Sequence, residues 1–206
     1  MNLRRTSLAL IVTLTALTLA NVAFAKSETL TYEYQNQAYY FSINGSSTFT
    51  TLMCDSYNNN IYRTETWTAT VAPLLQGIAN SMFGPSMTLD YKAAGLIYKS
   101  MLGGNLSVLQ AQWAVWGLFS PNAQQNALFA QYGGAATEAT YLSLAETAPN
   151  SAYKGLLLYT PVGGKPGLGP QEFIGYNTVP EPGSMMLLGT GLIGMAGAIR
   201  RKFAKA

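Results

Sequence analysis

Residues 29–34 alternate as Thr-Leu-Thr-Tyr-Glu-Tyr, the period of two that turns successive side chains to opposite faces of a strand. A second such stretch, 38–43, runs into Asn44-Gly45, and a third, 47–54, runs back. Asn-Gly is the pair that a two-residue hairpin turn selects, because both residues must take positive φ. After the turn-forming Asn58-Asn59-Asn60, residues 61–71 predict another strand through Trp67. The period then changes. Leu89, Ala93, Leu96, Ile97 and Met101 recur at helical spacing over 89–101, and Gly103-Gly104 follows, a natural helix stop. Asn105 or Ser107 can cap a second helix, in which Leu109, Gln112, Trp113 and Trp116 fall on one face. Ser120-Pro121 starts a third helix that reaches about residue 132, and 135–147 offers a fourth. Strand character returns at 155–160 and 172–176. Strands, then helices, then strands predict an α+β fold: an antiparallel β-sheet or sandwich with inserted helices.

Two apolar runs lie outside that pattern. Arg4 and Arg5 precede the run over 7–20, and Ala23-Phe24-Ala25 supplies the small residues that signal peptidase reads, so residues 1–25 read as a secretory signal peptide. The run is shorter than the roughly 20 residues a bilayer requires. At the other end, residues 183–199 carry no charge. As a helix rising about 1.5 Å per residue they span roughly 25 Å, enough for a thin bilayer. Arg200, Arg201, Lys202 and Lys205 follow; the positive-inside rule holds them in the cytoplasm and leaves the body outside. The expectation is a signal peptide, an exported domain over 26–178, and a tail over 179–206 with a single transmembrane helix at 183–199.

Val179-Pro180-Glu181-Pro182, the short Gly-rich apolar segment and the Arg-Arg end stand in that order and resemble the PEP-CTERM sorting signal of Gram-negative bacteria. The resemblance implies that Pro180, Glu181, Pro182, Arg200 and Arg201 form the sorting signal. It also implies processing by exosortase and signal peptidase, transient residence in the inner membrane, and delivery to the cell envelope, surface or extracellular matrix. Body stretches such as "TLMCDSYNN", "YKAAGLIY" and "PQEFIG" look like those of small exported PEP-CTERM proteins, which implies a shared fold and route and names no substrate.

Charge changes the picture once the ends are set aside. The whole chain has 12 basic and 9 acidic residues. Without Arg4, Arg5, Arg200, Arg201, Lys202, Lys205 and Glu181, the body keeps six basic and eight acidic residues, a net charge of −2. The basic balance therefore belongs to topology and gives no support to a nucleic-acid partner. The chain has no histidine and one cysteine, which removes Ser-His-Asp and Cys-His nucleophile arrangements and any His-ligated zinc site. Asp55, Glu65, Asp90, Glu138 and Glu146 read as singly scattered carboxylates, without the close pair a glycosidase needs. No catalytic residue, cofactor or metal site is expected.

Cys54 leaves the cytoplasm with no internal partner for a disulfide. Either it is buried and inert, or it is bonded to something else. Gln112-Trp113-Ala114-Val115-Trp116 resembles the Gln-x-Ala-Ile-Trp block of thioester domains in bacterial surface adhesins, although Met53 and Ala111 depart from the aromatic residue and threonine usual there. The resemblance implies that Cys54 supplies sulfur and Gln112 the acyl group of an internal thioester, shielded by Trp113 or Trp116, and that amine or hydroxyl groups on a surface or exopolysaccharide are the targets. The bland alternative makes Cys54 a small core residue and Gln112 an internal hydrogen-bonding group. A different class of reading takes Tyr32, Tyr34, Tyr39 and Tyr40 as a carbohydrate-facing stripe of a non-covalent polysaccharide-binding module, against the plain strand propensity of tyrosine. The expectation is a non-enzymatic surface or matrix protein.

Overall fold

The computed structural model describes residues 25–36, 38–177 and 190–191. The signal peptide, the sorting residues Pro180, Glu181, Pro182, Arg200 and Arg201, and the expected membrane helix lie outside them. Among the described residues no helix is long and apolar enough to cross a membrane.

Four strands come first: β1 (Lys26–Asn36), β2 (Ala38–Ile43), β3 (Phe49–Cys54) and β4 (Thr66–Pro73). The turn after β2 is the one its sequence predicts: Asn44 and Gly45 have φ of 53° and 72°, and the Ser46 N–H closes it on the Ile43 carbonyl at 3.0 Å. The fourth strand begins later than the pattern of 61–71 suggests. Residues 61–65 form a turn instead, because the Glu65 side chain accepts the Tyr62 N–H at 2.8 Å and the Glu65 N–H returns to the Tyr62 carbonyl at 2.9 Å. Local side-chain bonding of this kind competes with a sheet ladder.

The helices follow: α1 (Leu74–Gly77), α2 (Thr88–Leu102), α3 (Val108–Phe119), α4 (Pro121–Gln124), α5 (Ala127–Gln131) and α6 (Gly134–Thr147). Ser107 caps α3, its hydroxyl accepting the Gln110 N–H at 3.2 Å. The single helix expected from 121 to 132 is two, because Asn126 starts a new one by accepting the Leu128 N–H at 3.0 Å. Strands β5 (Leu156–Pro161) and β6 (Phe173–Tyr176) complete the unit.

The α+β class holds, but the sheet is neither open nor a sandwich. It closes into an antiparallel barrel of order β1-β2-β3-β6-β5-β4. Closure is possible because β1 is long enough to pair on both sides, with β2 from Leu30–Ile43 to Asn36–Ala38 and with β4 from Lys26–Val71 to Thr31–Thr66. Alternate side chains fill the barrel: Leu30, Tyr32, Tyr39, Phe41, Leu52, Cys54, Trp67, Ala69, Val71, Tyr159 and Phe173. A second core joins the helices to the outer face of β3, β5 and β6 through Met53, Leu156, Leu158 and Ile174. Helix α3 is buried on nearly every side, with Ala111, Trp113, Ala114, Val115, Leu118 and Phe119 all in contact with core. An all-round apolar helix requires such a central place.

Tyr32, Tyr34, Tyr39 and Tyr40 do not form one stripe. Tyr32 and Tyr39 are buried in the barrel, while Tyr34 and Tyr40 stack outside it with centroids 4.7 Å apart. Strand alternation separates them.

Candidate functional site

Cys54 ends β3 and is fully buried. Its neighbour Met53 packs toward the helices, while Cys54 packs into the barrel. Strand β2 pairs with β3 only as far as Tyr39–Leu52. On the other side β6 engages the backbone of the next residue, the Asp55 N–H donating to the Glu172 carbonyl at 3.3 Å. Because backbone groups alternate sides along a strand, the N–H and C=O of Cys54 point to the side β2 has left.

Gln112, on buried α3, fills that place with its side chain. Its Oε1 accepts the Cys54 N–H at 3.3 Å, and its Nε2 donates to the Cys54 carbonyl at 2.6 Å. One carboxamide thus satisfies both main-chain groups of the cysteine, as a neighbouring strand would. It also docks the amide on the residue whose sulfur would have to acylate.

Trp116, one turn on from Gln112, packs against the barrel cluster that holds Cys54. Its ring meets Tyr57 at 5.3 Å and Trp113 at 5.1 Å, both edge to face. Trp113 lies in a separate cluster with Ala123 and Phe129, so it backs Trp116 rather than covering the sulfur.

Burial pushes the Cys54 thiol up to about 12, and the neighbouring Asp55 carboxyl adds to the rise. The Trp116 side chain and the Ser56 backbone and hydroxyl act in the opposite direction. Ser56 Oγ stands 4.0 Å from the sulfur.

The structure corrects one expectation about the acids: Asp55 is not isolated. It and Glu172 are both fully buried and interact directly. Glu172 accepts from the Tyr91 hydroxyl, from Thr160 Oγ1 at 2.5 Å and from the Met82 N–H at 2.9 Å; its own N–H donates to Ser56 Oγ at 2.9 Å. Asp55, in contrast, is met only by the Glu172 carboxyl, the Ser56 hydroxyl and its own backbone N–H. Burial and the neighbouring Glu172 charge push Asp55 well above the usual carboxylate range. Burial raises Glu172 too, against the donors that favour its ionised form. The well-solvated partner keeps the charge and the unsolvated one keeps the proton, so Asp55 is the acid of the pair.

The arrangement therefore joins a thiol, a carboxamide and a proton-sharing acid pair in one water-poor region. Cys54, Gln112 and Trp116 were legible as candidates in the sequence; Asp55, Ser56 and Glu172 were not assigned. Their one local sign is the run Cys54-Asp55-Ser56, and nothing in it points to Glu172. Among the described residues no three of His, Cys, Asp and Glu stand close enough to hold a metal ion.

Residues 178–202 match the family model of the PEP-CTERM protein-sorting motif. The match covers the tail and carries nothing about the barrel, so it does not extend to the thioester-domain resemblance of the body. No curated protein and no solved structure matches the chain.

Proposed function

We propose that this chain, an exported protein processed by exosortase at the membrane as its sorting motif implies, is a non-enzymatic surface or matrix component that attaches itself covalently through a Cys54–Gln112 thioester. Residues 1–25 are its cleaved signal peptide, 26–178 its exported domain, and 183–199 the helix that holds it in the inner membrane during processing. One observation carries the attachment: the Gln112 carboxamide is bound to Cys54 through both its nitrogen and its oxygen.

In forming the thioester, Cys54 Sγ bonds to Gln112 Cδ, the Cδ–Nε2 bond breaks, and the thiol proton leaves with the nitrogen as ammonia. In attachment, an amine or hydroxyl of a surface molecule or exopolysaccharide bonds to the same carbon, and Cys54 departs as a thiol carrying the nucleophile's proton. Each chain reacts once, which is why the protein is no enzyme. Trp116, backed by Trp113 and Tyr57, keeps water from the acyl group, a role suited to large rings.

Intact mass tests the reading. A thioester gives a deficit of about 17 Da and a sulfur that resists alkylation even in denaturant until methylamine opens it. A chain of full mass whose Cys54 alkylates on unfolding overturns it.

A reversible, non-covalent hold on polysaccharide is the second reading. Tyr34 and Phe49 are exposed and meet edge to face at 5.8 Å, beside Tyr40, and such rings can stack on sugars. Replacing Tyr34 with alanine would then weaken retention on exopolysaccharide and leave the intact mass unchanged.

A further inference from the structure

We propose that the Asp55–Glu172 carboxyl pair is the proton carrier for acyl transfer from Gln112 to Cys54, with Ser56 Oγ as the bridge between thiol and acid. The proposal rests on the thioester reading and adds the groups that make it proceed. Three observations converge on it. Asp55 is fully buried against a second carboxyl, that of Glu172, a costly place for a group with only a structural role. Glu172 is fixed by Tyr91, Thr160 and Met82, which leaves Asp55 as the end of the pair that carries the proton. Ser56 Oγ accepts the Glu172 N–H at 2.9 Å and lies 4.0 Å from the Cys54 sulfur. A hydroxyl has two acceptor sites and one donor, so it can take the thiol proton on its second lone pair and pass its own toward Asp55, which the same hydroxyl steadies.

The need for a carrier follows from the thiol. A buried cysteine held protonated is a poor nucleophile, and an amide nitrogen leaves only when protonated. The pair starts with one proton between two carboxyls. As Sγ bonds to Cδ, the thiol proton moves through Ser56 to the pair, which becomes neutral and therefore less costly to bury. The oxygen that gains charge is Gln112 Oε1, and the Cys54 N–H already donates to it. As the Cδ–Nε2 bond breaks, the pair returns that proton to the nitrogen. Ammonia leaves and one proton remains on the pair. No other reactant is consumed.

The test follows thioester formation in the full chain, produced unfolded and refolded in detergent, by the loss of about 17 Da and by ammonia released at several pH values. Asp55→Asn keeps the shape but neither takes nor gives a proton. It is expected to slow the step about 100-fold or more, the usual weight of acid–base catalysis, and to flatten its pH profile; Glu172→Gln does the same. Folded Asp55→Asn that forms the thioester at the wild-type rate and pH dependence overturns the proposal and leaves the attachment reading standing. Where Asp55→Asn does not fold, Ser56→Ala decides: an unchanged rate overturns the bridge. A folded wild-type chain that never loses ammonia overturns both readings.

Discussion

Gln112 and Cys54, separated by 58 positions of chain, share two hydrogen bonds: the Cys54 N–H reaches Gln112 Oε1 at 3.3 Å and Gln112 Nε2 reaches the Cys54 carbonyl at 2.6 Å. The contact stabilises the fold whatever its chemistry, since it satisfies backbone groups that β2 leaves open. Gln112→Ala is expected to orphan both groups at about 1–3 kcal/mol each. Urea denaturation of the exported domain reads the loss directly. A change below about 0.5 kcal/mol would show that the amide does not hold the end of β3.

A free Cys54 would still be slow to alkylate in the native state, because its pKa of about 12 leaves it protonated at ordinary pH. Protection in the native state therefore does not distinguish a buried thiol from a thioester. Denaturant does. A thiol becomes reactive at once, whereas an acylated sulfur waits for amine or hydroxide, and iodoacetamide labelling in urea, with and without methylamine, separates the two.

Stability should fall as pH rises above the acidic range. Burial pushes Glu138 up from 4.5 to about 7 and Asp55 upward as well. Such groups bind more protons folded than unfolded, so their contribution is full below the unfolded pKa and is lost as pH climbs through the folded one. For Glu138 the window runs from 4.5 to about 7. The urea midpoint should be higher at pH 5 than at pH 8. Glu138→Gln should flatten that slope and gain on the order of 1 kcal/mol at pH 8; an unchanged slope would mean that Glu138 titrates as in water.

Gly117 sits where α3 crosses α6. A Cβ there would lie 1.8 Å from Glu138 Oε1 and 2.5 Å from Phe129 Cε2. Gly117→Ala should cost about 1–3 kcal/mol by overpacking, visible as a lowered Tm. On the thioester reading the displaced α3 should also slow acyl transfer, so the same protein can be followed by intact mass.

The sorting tail and the barrel should be separable. Replacing Pro180 and Pro182 with alanine is expected to abolish delivery to the surface in a cell that has exosortase, with no change in the Tm of the domain. Wild-type distribution of that variant would detach the matched motif at residues 178–202 from the protein's route.

Much was legible because it is local. The alternation in 29–34 and 38–43, the Asn44-Gly45 turn and the cap at Ser107 are all decided by neighbours within a few residues, and the structure places elements there. The errors were failures of competition at the same short range. Glu65 turns the chain back on Tyr62 and delays β4, and Asn126 divides a helix by capping a new one.

The sequence by itself determined the class of the fold, the matched sorting tail with the processing it implies, and the exclusion of histidine chemistry, because periodicity, motif order and composition need no knowledge of what touches what. Only the tertiary structure decided that the sheet closes, that Gln112 lands on Cys54, and that Asp55 meets Glu172 beside it. Those facts depend on which distant surfaces bury each other: β3 and β6 pair across the stretch of chain that carries helices α1 to α6, and no local pattern encodes that register.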